Sequence, residues 1–224
     1  MNKTSLYVII VAGGKGLRMQ SNIPKQFMLL AGKPILQHSL EAFYNYNQSI
    51  ICIVVLPKDQ IAYWNQLCKD YNCNVPHIIA EGGSERYFSV LSGLQHITTH
   101  GFVAIHDGVR PLVSYEVIAQ GFAHAFTHSN AIPVVDSVDS LRYVEKDTNY
   151  VIHREHIKRV QTPQIFDTKK LLDAYTIGFD TSCTDDATVW EKAGNTVFCY
   201  KGDEKNIKIT TNTDIHIAEL FMKM

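Results

Sequence analysis

A chain of 224 residues with 46% hydrophobic and 19% charged side chains can build one full hydrophobic core and is short for two. Its formal charge of −1 excludes the broad basic face of a nucleic-acid binder, so any bound anion must meet a local cluster of cations. No apolar run approaches the roughly 18 residues of a membrane span, and the apolar stretch 6–11 is too short for a signal peptide. Five cysteines, an odd number without a Cys-x-x-Cys pair, are expected to be buried thiols in a reducing compartment, which points to the cytoplasm.

Strands are expected at Leu6–Val11, Ile50–Leu56, His77–Ala80, Phe102–His106 and Ala131–Val135, each an apolar run bounded by turn residues. Helical periodicity fills the gaps. Ile35–Tyr46 follows Pro34; Asp59 is placed to cap Gln60–Tyr71, Ser84 to cap Glu85–His96, and Ser114 to cap Tyr115–His128. This alternation predicts a three-layer α/β fold around a mostly parallel sheet, read as a single domain over 1–224.

From 138 to 160 the pattern changes to alternating polar and apolar residues, which predicts a protruding β-arm with its turn near Asp147-Thr148-Asn149. A ribbon with open edges calls for a cover, and a second subunit is the simplest one, so the 138–160 arm is expected to serve a homodimer. Beyond it, Leu171–Thr176 and Ala187–Ala193 read as helices, and Thr196–Tyr200 and Asn206–Thr210 as short strands. A closing helix is capped by Asn212 or Thr213.

In open parallel sheets ligands sit beyond the carboxyl ends of the strands, and the unusual residues fall there. The first strand runs into Ala12-Gly13-Gly14-Lys15-Gly16-Leu17-Arg18-Met19, followed by Pro24-Lys25-Gln26. No Lys-Ser or Lys-Thr completes a P-loop, and Met19 occupies the third glycine position of a dinucleotide fingerprint. Glycines admit phosphate oxygens close to backbone N–H groups, while Lys15, Arg18 and Lys25 bring three cations; a nucleoside triphosphate fits. The third strand leads into Glu81-Gly82-Gly83-Ser84-Glu85-Arg86 and the fourth into Asp107-Gly108-Val109-Arg110-Pro111. Asp107 emerges at the ligand end, where it can meet ribose hydroxyls or a metal-bound triphosphate. Uncompensated it would repel the nucleotide, so Mg2+, held mainly by the phosphates, is its expected companion and Asp107 a candidate ligand. Arg110 is expected to pair with a local carboxylate, and Glu85 with Arg86. His124 and His128 read as core or surface histidines, and no zinc site is expected.

The ordered set Ala-Gly-Gly-x-Gly-x-Arg-Met, Pro-Lys-Gln-Phe, Gly-Lys-Pro-Ile-Leu, Gly-Gly-x-Glu-Arg-x-x-Ser-Val, His-Asp-Gly-x-Arg-Pro, Gln-Thr-Pro-Gln, Thr-Asp-Asp-Ala and Asn-Ile-Lys-Ile-Thr spans nearly the whole chain. It resembles the 2-C-methyl-D-erythritol 4-phosphate cytidylyltransferases among the polyol-phosphate cytidylyltransferases. The resemblance implies a Rossmann-like nucleotidyltransferase fold and transfer of a cytidylyl group from CTP, with release of pyrophosphate, in non-mevalonate isoprenoid precursor biosynthesis. It implies that Arg18 and Lys25 stabilise charge at the α-phosphate and that Ala12, Gly13, Gly14, Lys15 and Gly16 cradle the triphosphate. Gly82, Gly83 and Ser89 would then contact cytosine and ribose. Ser137, Arg154, Thr162 and Lys208 would hold the acceptor phosphate, with Arg154 reaching the partner subunit's site. The register leaves Ser140 as an alternative to Ser137, and Asn212-Thr213 stands where such enzymes commonly carry Pro-Glu. Two other functions compete: a ribitol-5-phosphate cytidylyltransferase, sharing the nucleotide loops, and a non-catalytic nucleotide-binding protein. Retention of Arg18, Lys25, Asp107 and Lys208 weighs against the second.

Overall fold

The computed structural model describes residues 4–13 and 23–224. Strand β1 (Ser5–Val11) leads to a 3-10 turn at Lys25–Phe27, then to a two-residue hairpin of β2 (Leu29–Leu30) and β3 (Lys33–Pro34) and helix α1 (Ile35–Tyr46). The chain continues through β4 (Ile51–Leu56), α2 (Lys58–Asp70), β5 (His77–Glu81), α3 (Arg86–Leu94), β6 (Gly101–Asp107), α4 (Tyr115–His128) and β7 (Asn130–Asp136). The arm follows as β8 (Leu141–Glu145) and β9 (Thr148–Ile152), and the chain returns as β10 (Lys158–Val160) and β11 (Gln164–Asp167). Helices α5 (Thr168–Tyr175) and α6 (Asp186–Lys192), strand β12 (Cys199–Lys201) and helix α7 (Asn212–Met222) complete it.

The main sheet runs β10-β7-β11-β6-β1-β4-β5, with β12 also paired to β7. Pairs β1–β6, β1–β4, β4–β5 and β12–β7 are parallel; β11 is antiparallel to both its neighbours and β10 to β7. β1 is buried because it lies mid-sheet under helices on both faces, which is why its sequence is a continuous apolar run. The two-residue period divides that run. Val8 and Ile10 pack with Leu40, Phe43, Trp64 and Phe122 on one face, and Tyr7 and Ile9 with Val90, Leu94, Phe166 and Trp190 on the other. The result is the expected three-layer, mostly parallel α/β architecture.

Several expected boundaries are corrected. Helix α2 begins at Lys58 behind Pro57 with no side-chain cap, so Asp59 lies in its first turn, where a negative charge favours the helix N-terminus. Helix α3 begins at Arg86 behind Glu85, and Ser84 caps nothing. Ser114 does cap α4, accepting from Val117 N at 3.3 Å. Thr211, not Asn212 or Thr213, caps α7 in a capping box with Asp214. Residues 206–210 pair with no strand, although Ile209 N donates to Val109 O at 2.9 Å. The hairpin of the arm spans 141–152 with its turn at Lys146-Asp147, and Lys158–Val160 rejoins the main sheet beside Asp136–Val134.

Candidate active site

The register of the sheet builds the site. Val11 pairs with Asp107 and Leu56 with Glu81, so the loops after β1, β5 and β6 open at one end. Among the described residues they enclose a pocket of ≈ 220 Å³ lined by Ala12, Gly13, Lys25, Gln26, Gly83, Ser84, Glu85, Arg86, Ser89, Asp107 and Lys208, with Val11 and Val109. Its lining carries three cations against two carboxylates. Gly14, Lys15, Gly16 and Arg18 lie outside the described residues.

Lys25 is placed by its neighbours. Pro24 opens the 3-10 turn, with Phe27 N donating to Pro24 O at 2.9 Å. Phe27 is buried against Trp64 and Tyr63, at ring separations of 6.1 and 5.3 Å. The fully buried Gln26 amide donates to Ala12 O at 2.8 Å and to Gln60 Oε1 at 2.7 Å. This clamp ties the turn to the end of β1 and to α2. Sequence reading missed the role of Gln26, whose only signal was its place in Pro-Lys-Gln-Phe.

Gly83 shows why a glycine stands at the base of α3. A Cβ there would come within 2.3 Å of Phe88 Cβ, an atom rooted in the helix itself. The Gly83 N–H donates to Ser89 Oγ at 3.2 Å, and Ser89 Oγ donates to Glu85 O at 3.1 Å, so the loop folds over its own helix. Gly82, one step behind, donates its N–H to Leu56 O at 2.8 Å. Gly83→Ala is expected to cost about 1–3 kcal/mol through overpacking. Urea titration checks this, with weaker CTP binding by calorimetry as its accompaniment.

Asp107 is 8% exposed and surrounded by cations: Lys208 Nζ at 2.9 Å, Arg110 Nε at 3.4 Å and Arg86 Nε at 3.9 Å. Burial alone would raise its carboxyl pKa, but Lys208, then Arg86 and Arg110, outweigh that and hold it below the usual carboxylate range. Its charge is therefore balanced by the protein, which corrects the expectation that Mg2+ is its necessary companion. Both carboxylate oxygens face cations, and no group of three metal-ligating side chains occurs among the described residues. In this arrangement the three cations neutralise Asp107.

Arg110 pairs locally as expected and donates to Asn206 O at 2.8 Å, which holds the segment bearing Lys208 against the end of β6. Ile209 packs behind it with Val109, Ile35 and Ile215. The expected Glu85–Arg86 pair is replaced: Arg86 donates to the fully buried Asp186 at 2.6 Å, which also accepts from Tyr175 OH at 2.6 Å. Asp186 escaped notice because its partner lies 100 residues away; its presence in Thr-Asp-Asp-Ala was the available signal.

Thr162 is buried behind Asp107. Its hydroxyl accepts from Asp107 N at 3.0 Å and meets His106 Nδ1 at 3.0 Å, while His106 Nε2 lies 3.1 Å from Arg110 O. Burial lowers the His106 pKa to about 4, against ~6.5 for an exposed histidine. Between these values the unfolded chain binds a proton that the folded chain excludes, so stability rises with pH across the window and is lost as pH falls through it. A fall from pH 6.5 to 4.5 is expected to cost about 2–3 kcal/mol from this group. Urea midpoints across that range check it, with His106→Gln giving a flatter curve.

Ser137 and Arg154 do not line the pocket of the single chain. Ser137 follows β7 at the root of the arm, and Arg154 lies in the 3-10 turn Arg154–His156 after β9, donating to Val138 O. Ser140 is exposed on the same root.

The sequence and the fold match known proteins. The family model IspD, 2-C-methyl-D-erythritol 4-phosphate cytidylyltransferase, matches residues 6–224. The chain belongs to this family. A relative from Phocaeicola vulgatus bearing the family's name is 46% identical over 216 residues, covering 96% of this chain and 99% of the relative. One from Bacteroides thetaiotaomicron, of the same name, is 45% identical over 215 residues, covering 96% and 98%. The crystal structure of 4-diphosphocytidyl-2C-methyl-D-erythritol synthase from Anaerococcus prevotii is similar at a TM-score of 0.83 and 26% identity, covering 99% of this chain and 97% of that one. The ribitol phosphate alternative finds no support in these names. Membership of a cytidylyltransferase family makes the protein a nucleotidyltransferase and removes the non-catalytic alternative. No helix among the described residues is long and apolar enough to cross a membrane.

Proposed function

We propose that this cytidylyltransferase joins CTP to 2-C-methyl-D-erythritol 4-phosphate, giving 4-diphosphocytidyl-2-C-methyl-D-erythritol and pyrophosphate, in isoprenoid precursor biosynthesis. The observation that carries the reading is the meeting of Lys25, Lys208 and Asp107 with the Gly83–Ser89 loop in one pocket. An acceptor phosphate oxygen attacks the α-phosphorus, the new P–O bond forms, and the bond to the β-phosphate breaks. A phosphate monoester is largely ionised at pH 7, with a second pKa near ~6, so no general base is needed. The protein's work is aim and charge: Lys25, with Arg18, meets the α-phosphate, Lys208 turns from Asp107 to the acceptor phosphate, and Gly83 and Ser89 receive cytidine.

Mg2+ belongs to this proposal as a companion of the triphosphate, held by phosphate oxygens. A homodimer completes it. The arm exposes Val144 and Val151 on one face and Tyr143 and Tyr150 on the other, apolar surface suited to a second copy, and Arg154 and Ser137 at its root are then placed to serve the acceptor phosphate across the interface. The cytoplasm is the proposed compartment. The test is pyrophosphate release from CTP with methylerythritol phosphate against ribitol 5-phosphate. Preference for the former is expected; preference for ribitol phosphate would move the acceptor, and release with neither would overturn the reading.

A further inference from the structure

The cysteines divide in a way that the sequence did not show. Cys52 is buried in β4 and Cys199 is exposed on β12, so the expectation of uniformly buried thiols fails for Cys199. Cys68 and Cys73 are both half-buried at the C-terminus of α2. There the helix ends on Asn72 in the left-handed region, φ +52°. Cys73 N donates to Cys68 O at 2.8 Å and Asn72 N to Lys69 O at 3.4 Å. These two bonds are the six-to-one and five-to-two bonds of a Schellman motif, which brings the third residue from the helix end against the second residue beyond the cap. In most helices that contact is apolar; here it is thiol on thiol.

The same bond bounds the geometry. With N–Cα of about 1.46 Å and Cα to carbonyl O of about 2.4 Å, an N···O separation of 2.8 Å keeps the two Cα atoms within about 6.7 Å of each other. That lies inside the 4.4–6.8 Å range of disulfides. Each thiol shifts the other, with Cys68 pushed up and Cys73 held below the ordinary thiol range. The pair thus contains an attacking sulfur and a resolving one.

We propose that Cys68 and Cys73 are a reversible dithiol–disulfide pair, a modification site for low-molecular-weight disulfides at the C-terminal cap of α2. The Cys73 thiolate attacks one sulfur of the small disulfide and expels the other as a thiolate, leaving a mixed disulfide. Cys68 then attacks the Cys73 sulfur, the protein disulfide forms, and the second small thiol leaves. Two protein thiols are oxidised, one small disulfide is reduced to two thiols, and the two protein protons end on those thiols. The cap geometry already holds the backbone in place, so the fold need not open.

Lys69 separates the two cysteines, so trypsin converts the bond into a link between peptides 59–69 and 70–86, each with one cysteine. The experiment incubates folded protein with oxidised glutathione, alkylates remaining thiols and maps the tryptic peptides. The linked pair is expected, and it disappears on treatment with dithiothreitol. Cys68→Ser is expected to stop at a glutathione adduct on Cys73, and Cys73→Ser to leave Cys68 alkylated. Full alkylation of both peptides in the wild type, or an adduct on Cys73 that never resolves, would overturn the proposal. Because the readout is a peptide mass, it is independent of the catalytic reading.

Discussion

Lys25→Ala is expected to lower kcat for pyrophosphate release by about 10²- to 10³-fold, the usual loss when one preorganised contact to a developing charge is removed. The fold should be unaffected. The turn is held by Gln26 on Ala12 and Gln60 and by Phe27 on Trp64, none of which involves the Lys25 ammonium. Steady-state kinetics together with a thermal melt separates the outcomes. A variant that melts like the wild type and keeps most of its rate would remove Lys25 from the chemistry. A variant that fails only through unfolding would make it a structural residue.

Lys208→Ala is expected to act on the second substrate, lowering kcat/KM for methylerythritol phosphate by about 10²-fold because an in-line attack tolerates little misplacement. Its ammonium touches Asp107 at 2.9 Å, yet the lysine side chain is 44% exposed. Asp107 is buried, so losing its leading cation is expected to lower stability as well, to the extent that Arg110 and Arg86 do not make up the charge, and a thermal melt beside the kinetics separates the two effects. Lys208→Arg restores charge without the same reach and should recover part of the loss. Kinetics with each substrate varied in turn decides it. An effect confined to CTP would place Lys208 at the triphosphate and leave the acceptor phosphate to the arm.

The residues at which sequence reading succeeded share a physical reason. Leu6–Val11 and Phe102–His106 lie mid-sheet, where burial on both faces makes the strand a continuous apolar run that no helix period imitates. The pocket was legible for a similar reason, since glycines and charges at strand ends are costly anywhere else. Long-range pairing was not legible. Asp186 reaches Arg86, and Gln26 reaches Gln60, through folding alone, and nothing local marks either partner. Caps failed where backbone took over from side chains: Pro57 starts α2 without a hydroxyl or carboxylate acceptor, and the Gly83–Ser89 bond displaced the expected start of α3. The arm is shorter than expected because Lys158–Val160 pairs with Asp136–Val134 of β7, and a local pattern is blind to which strand it pairs with.

Direct displacement at this pocket is tested best by isotope. CTP is allowed to react with methylerythritol phosphate whose non-bridging phosphate oxygens are 18O, and both products are weighed by mass spectrometry. Attack by the acceptor phosphate on the α-phosphorus predicts that every heavy oxygen stays in the nucleotide-linked product, one of them bridging the two phosphorus atoms, while pyrophosphate carries none. Heavy oxygen in the released pyrophosphate, or no nucleotide-linked product, would contradict the account.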